Sequence, residues 1–225
     1  MLYKYSKFMS IITVGGIKGG SGKTTAAINI TISLSNLSKD VLLVDADDQE
    51  SATEFTKWRN YNLNNKAGYT AIKLAGEAVR TEVLNLKNKY DHIIIDTGGR
   101  DTSSQRAAIS VSNLYIIPFI PRSIDIWTLE KVRKLIIEMR TVNINLKSVA
   151  FINKADSIGK DNDDAAQVIS EIKDFIFLQT YICNRKSFCN SITQGLGISE
   201  FVPKDIKAQK EFDDFFLQIQ QLINL

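Results

Sequence analysis

The sequence predicts an α/β fold, a doubly wound and mostly parallel sheet flanked by helices. Short β-branched runs alternate with longer helical patterns from one end of the chain to the other. Several of the runs are apolar without interruption, as strands buried on both faces are. No Pro- or Ser-rich linker, internal repeat or low-complexity segment breaks the alternation.

Taken in order, Ser10 to Val14 reads as the first strand. Lys23 to Leu37 then sets Ala27, Ile30, Leu34 and Leu37 on one helical face, the spacing of a crossover helix. Val41 to Val44, His92 to Ile95, Leu114 to Pro118, Ser148 to Ile152 and Phe175 to Ile182 supply further strands. Leu129, Val132, Ile136 and Met139 mark a second crossover helix. Asn60 to Asn65, ahead of Gly68, is expected to be a mobile surface loop. Trp58 and Trp127 fall in helical segments and are read as core or interface residues. Residues 1–9 are expected to be an N-terminal extension without regular structure, with Met9 a second possible start, and residues 10–225 a single domain. In a doubly wound fold ligands sit at the C-terminal ends of the strands, so function is sought in the loops that follow them.

Composition narrows the classes. At 225 residues, 44% hydrophobic and 24% charged, the chain has the balance of an ordinary globular protein. No apolar run approaches the roughly 20 residues of a membrane helix, and no signal peptide is evident, so a cytoplasmic protein is expected. Cys183 and Cys189 are too few and too far apart for a zinc cage and receive no role. A net charge of +3 neither requires nor forbids nucleic-acid binding, so any DNA contact must come from a local patch.

The segment Lys18-Gly19-Gly20-Ser21-Gly22-Lys23-Thr24-Thr25 follows the first strand and opens the first helix. Its glycines let backbone N–H groups curl around a phosphate, Lys23 supplies a point charge, and Thr24 offers a hydroxyl to Mg²⁺ at the positive end of the helix. Ile17 stands where the first glycine of a standard phosphate loop belongs, and Lys18 brings a second lysine to the loop. The run Ile93-Ile94-Ile95-Asp96 has the form of a second nucleotide motif, placing the Asp96 carboxylate where Mg²⁺ or its waters would lie. After it, Thr97-Gly98-Gly99-Arg100-Asp101 suits a loop that changes shape when a γ-phosphate leaves. His92, at the opposite end of that strand, is read as structural.

With both lysines on one loop, the sequence resembles the deviant Walker A ATPases of the ParA/MinD family, closest to small plasmid-type ParA partition proteins. The resemblance runs from about Ser10 to about Phe216 and includes Pro118-Phe119-Ile120-Pro121-Arg122-Ser123-Ile124-Asp125. It implies a P-loop fold and a slow ATPase using ATP and Mg²⁺. Gly19, Gly20, Ser21, Gly22, Lys23, Thr24 and Thr25 would hold the nucleotide, with Thr24, Asp45 and Asp96 on the metal side. In Val44-Asp45-Ala46-Asp47-Asp48-Gln49 the later Asp47 would orient the attacking water, although Asp48 stands where many relatives have proline; Asp48 or Ser51 could also cap the next helix. Lys18 would reach the partner subunit's nucleotide, coupling dimerisation to hydrolysis as an arginine finger does. The resemblance further implies an ATP-bound homodimer, sequence-independent DNA binding, a ParB-type centromere-binding partner and a nucleoid-associated location.

Asn153-Lys154-Ala155-Asp156 formally matches the guanine-reading element of GTPases, so a GTP switch stays open beside an ATP site in which Asn153 contacts adenine. Cargo positioning or conjugation on the same fold, and a metabolic ATP-dependent ligase or reductase, are further readings. For DNA, Arg185, Lys186, Lys204, Lys207 and Lys210 outnumber Glu200 and Asp205 and would track phosphates if they share a face. The terminal pattern Phe212, Phe215, Phe216, Ile219, Leu222 and Ile223 makes an amphipathic helix. From Asp205 onward two lysines meet four carboxylates, a balance anionic lipids repel, so the helix is expected to pack on the domain and no membrane contact is expected.

Overall fold

The computed structural model describes residues 9–121, 126–156 and 160–223. Its elements run β1 (Ser10–Val14), α1 (Lys23–Asn36), β2 (Val41–Ala46), α2 (Ser51–Asn62), β3 (Thr70–Lys73), α3 (Ala78–Leu86) and β4 (His92–Thr97). They continue with α4 (Ser103–Val111), β5 (Leu114–Phe119), α5 (Ile126–Arg140), β6 (Lys147–Ala155), α6 (Asp161–Ser170), β7 (Ile176–Cys183), α7 (Lys186–Thr193) and α8 (Ile206–Leu222). All strands pair in parallel, in the order β3-β2-β4-β1-β5-β6-β7. The order in which successive strands are added reverses beside β1, the kind of switch point at which doubly wound folds bind ligands.

Uninterrupted apolar runs become central strands because both their faces are covered: every residue of β1, β2, β4 and β5 is buried. On one face α1 and α8 pack Ile30, Leu34, Phe212, Phe215 and Ile219 against the sheet. On the other, α5 and α6 cover β5 and β6, while α3 and α4 cover β2 and β4. The aromatic positions of the terminal helix point inward, with the Phe151 and Phe215 rings 4.4 Å apart. Each such side chain contributes about 1.5–3 kcal/mol when fully buried, which holds α8 to the domain. Among the described residues no helix is long and apolar enough to cross a membrane.

β3 went unanticipated. It has four residues, is only half covered, and pairs with β2 alone, so neither an apolar run nor an alternation announces it. The Asn60 to Asn65 segment is not simply a loop, since α2 continues through Asn62 before Asn64 and Asn65 turn the chain at φ 52 and 62. Arg59 anchors that turn: buried, it donates to the Ala67 carbonyl at 2.7 Å and the Gly195 carbonyl at 2.9 Å and pairs with Glu200 at 2.7 Å. Neither tryptophan is a core residue, Trp58 being 57% exposed and Trp127 79%. His92 is structural, its Nδ1 lying 2.7 Å from the Ser10 hydroxyl.

Candidate functional site

The C-terminal ends of β1, β2 and β4 meet at one point. Asp96 lies in register with Val14 of β1 and with Asp45 of β2. Directly above, Gly20 and Gly22 adopt left-handed conformations, φ 73 and 86, that curl the phosphate loop into the start of α1. Gly22 has a second reason to be glycine, because a Cβ there would stand 2.2 Å from the Asn153 amide nitrogen.

The loop borders a cleft of about 660 Å³. Its walls bring together Gly19, Gly20, Gly22, Lys23, Thr24 and Thr25 from the loop, Asp47 from β2's exit, and Gly98 and Gly99 from β4's exit. Ser21 is buried beneath, and its hydroxyl donates to the Lys18 carbonyl at 3.4 Å. Gly99 packs so closely on the loop that a Cβ would lie 2.8 Å from Gly19 Cα, and one on Gly98 would lie 3.1 Å from the Asp47 carboxylate. The segment after β4 therefore lies against both the phosphate loop and Asp47.

Lys23 is buried and its ammonium donates to the Lys18 carbonyl at 3.0 Å. Burial lowers its pKa, opposed by the charges of Asp96 and Asp47. Asp96 is fully buried, and neither carboxylate oxygen has a complete hydrogen bond. Burial raises this carboxyl to about 8; the Thr24 hydroxyl offsets part of that, Asp45 adds to it, and Lys23 opposes it. An orphaned carboxylate beside Thr24, at the positive end of α1, fits a hard divalent cation such as Mg²⁺. If such a cation binds, Thr24 would offer it a hydroxyl and Asp96 would accept from its waters.

Asp45 is occupied otherwise. Its Oδ2 accepts from the Thr53 N–H and hydroxyl, both at 2.8 Å, and its Oδ1 from the Asp47 N–H at 3.2 Å. The carboxylate thus shapes the β2 exit that presents Asp47. Asp47 in turn accepts from the Gln49 N–H at 3.2 Å. The N-cap residue Glu50 makes no side-chain cap, and among the described residues no bond from Asp48 or Ser51 takes its place; the first turn of α2 is capped from β2, where Asp45 takes the Thr53 N–H.

Asn153, at the end of β6, donates its side-chain amide to the Ser21 carbonyl at 2.7 Å. The following Lys154, at φ 53, borders the phosphate cleft, whereas Ala155 and Asp156 border a second pocket of about 340 Å³ with Asn184, Arg185, Lys186 and Asp205. Arg185 makes bidentate hydrogen bonds to Glu211, whose Oε2 also accepts from the Cys183 N–H at 3.0 Å. Its charge is therefore paired with a carboxylate, which leaves less of it to track phosphates than the sequence alone suggests. Lys186, Lys204, Lys207 and Lys210 are exposed.

Lys18 is exposed and lines a third cleft rather than the phosphate cleft. The segment Arg122 to Asp125 lies outside the described residues. Sequence reasoning missed Gln105, fully buried on α4, whose amide donates to the Tyr115 hydroxyl at 2.7 Å and the Gly16 carbonyl at 3.3 Å. It ties the helix after the β4 loop to the root of the phosphate loop, and only its position three residues after the capping Thr102 hinted at it.

Comparison with known proteins agrees with this geometry. The model of the CobQ/CobB/MinD/ParA nucleotide-binding domain matches residues 12–198. Maintenance of carboxysome distribution protein A of Halothiobacillus neapolitanus is 23% identical over 212 residues, covering 92% of this chain and 95% of its own. The ATP complex of an McdA variant from Cyanothece superposes with a TM-score of 0.79 at 17% identity, covering 97% of each chain. A plasmid partition protein of Borrelia burgdorferi B31 bound to AMPPNP gives 0.73 at 21% identity, covering 94% of this chain and 98% of its own. At those identities the solved structures speak to the fold alone. With its glycine loop, paired lysines and strand-end carboxylates assembled on that fold, the chain belongs to the CobQ/CobB/MinD/ParA nucleotide-binding family.

Proposed function

We propose that this protein is a slow, partner-stimulated ATPase for plasmid or chromosome partition that dimerises when ATP binds and holds DNA without sequence preference in that state. The observation that carries the reading is the convergence of Lys23, Thr24, Asp47 and Gly99 on one cleft, with Lys18 on the same loop but outside it. The loop's N–H groups cradle the phosphates, and Lys23 exchanges the Lys18 carbonyl for a phosphate oxygen. Bound Mg²⁺ supplies charge neutralisation at the β- and γ-phosphates. Asp47 orients the attacking water, and Lys18 completes the site of the partner subunit. Loss of the γ-phosphate releases the Gly98-Gly99 segment and with it the dimer.

The base is assigned to the pocket at the ends of β6 and β7. Asn153 uses its amide nitrogen on Ser21 and leaves its side-chain carbonyl as the acceptor assigned to the base amino group, with Arg185 held as a wall by Glu211. ATP is favoured because structural neighbours hold ATP and AMPPNP. Asp156 borders the same pocket and keeps GTP as a second reading, since a carboxylate accepts from guanine as well. Competition of ATP and GTP for a fluorescent nucleotide separates them. DNA contact is assigned to Lys186, Lys204, Lys207 and Lys210, with Arg185 reassigned to the base pocket. A cargo other than DNA is supported by the nearly full-length similarity to a carboxysome distribution protein. Both readings share the nucleotide switch and differ in the adaptor.

The test is DNA retention across a salt series with ATP, ADP and no nucleotide. Retention with ATP alone, falling steeply with salt, is expected, because each neutralised phosphate adds about one unit to the logarithmic slope. Equal retention in all three conditions contradicts the switch.

A further inference from the structure

A third cleft, of about 610 Å³, lies between the phosphate loop, the start of α4 and the length of α5. Its lining holds five lysines and arginines against two carboxylates. Both carboxylates are already engaged, since Arg106 pairs with Asp101 at 2.6 Å and with Glu138 at 2.8 Å, stitching α4 to α5. Arg100, Lys131 and Lys134 are exposed and, among the described residues, enter none of the salt bridges formed around them. Beneath them Ile17 and the buried Leu135 give the cleft an apolar floor. Arg100 borders this cleft and the nucleotide cleft at once. It directly follows Gly99, which rests on the phosphate loop.

We propose that the groove between α4 and α5 docks an acidic, partly apolar segment of a partner protein, and that Arg100 carries its arrival to the nucleotide. The inference rests on the partner-stimulated reading above and names the surface and the chemistry that reading leaves open. Unpaired cations around an apolar floor select carboxylates interspersed with apolar side chains. Lys131 and Lys134 stand one helical turn apart, so both address one bound segment. Duplex DNA is disfavoured, because phosphates make no use of the apolar floor of Ile17 and Leu135, whereas a peptide with apolar side chains does. A carboxylate that engages Arg100 fixes the segment leading from Gly98 and Gly99, which is how occupancy changes the hydrolytic site without touching it.

The experiment selects random short peptides on the full-length protein with MgATP and counter-selects them on K131E/K134E. Acidic, apolar-containing sequences are expected, with binding weakened at least about tenfold by K131E/K134E and about threefold by K131A/K134A. Basal hydrolysis in both variants stays at the native level, showing that they fold. The selected peptide should raise hydrolysis by native protein and fail to do so in Arg100→Ala. No enrichment, enrichment of basic peptides, or binding indifferent to both variants overturns the proposal. So does a random-sequence DNA duplex that competes with the peptide and is lost in K131E/K134E, which would make the groove a DNA surface. If native protein neither binds nor hydrolyses ATP, the functional reading fails; if it does both and no acidic peptide is selected, only the groove assignment fails.

Discussion

The side-chain amide of Asn153 donates to the carbonyl of Ser21 across 132 residues of sequence, at 2.7 Å. The end of β6 thereby clamps the phosphate loop, and Gly22 must lack a side chain for the clamp to close.

A Gly22→Ala protein therefore loses both the left-handed backbone and the Asn153 contact. It should be destabilised by about 1–3 kcal/mol and should lose nucleotide binding. Gly20→Ala, at φ 73 but with open space around it, bears the backbone cost alone, about 1 kcal/mol. Chemical unfolding and titration with a fluorescent ATP analogue compare the two, and equal effects would show that the clamp contributes nothing.

Much of this site was legible in the sequence. Lys18 to Thr25 is contiguous, and its spacing, directly after an apolar run, carries its own geometry. Asp96 was legible for the same reason, an uninterrupted strand ending in one carboxylate. What escaped notice depends on partners distant in sequence. Asn153 is recognisable as a strand-end amide, but its bond to Ser21 exists only once β6 lies beside β5 and β1. Arg185 reads as a free cation until α8 brings Glu211 to it. β3 escaped because a short edge strand has one neighbour and no fully buried face.

Asp96→Asn should raise the unfolding midpoint of the nucleotide-free protein near neutral pH, because burial raises this carboxyl to about 8 and its ionisation favours the unfolded state. The same change should abolish the further stabilisation that Mg²⁺ adds to nucleotide. Thermal unfolding with nucleotide, with and without Mg²⁺, measures both. A variant still stabilised by Mg²⁺ as the native protein is would remove Asp96 from the metal side.

The Arg59–Glu200 pair gives stability a defined pH dependence. Burial pushes the Glu200 carboxyl up, but the Arg59 hydrogen bonds, the Gly197 N–H and the Arg59 charge outweigh it and leave the pKa below the ordinary glutamate value. The folded state then binds fewer protons than the unfolded one in that range. The contribution is complete above the usual glutamate pKa and is lost as pH falls through the lowered value. Glu200→Ala should cost about 2 kcal/mol near neutrality and flatten the acid limb of the stability profile. Urea unfolding between neutral and strongly acidic pH tests this, and a parallel downward shift with the slope retained would assign that limb to other groups.

Dimerisation through Lys18 remains the centre of the account, and light scattering from protein in solution with Mg²⁺ and either AMPPNP or ADP tests it most directly. Native protein should be a dimer with AMPPNP and a monomer with ADP, whereas Lys18→Ala should bind AMPPNP and stay monomeric. A Lys18→Ala protein that dimerises with AMPPNP as fully as the native chain would contradict the account.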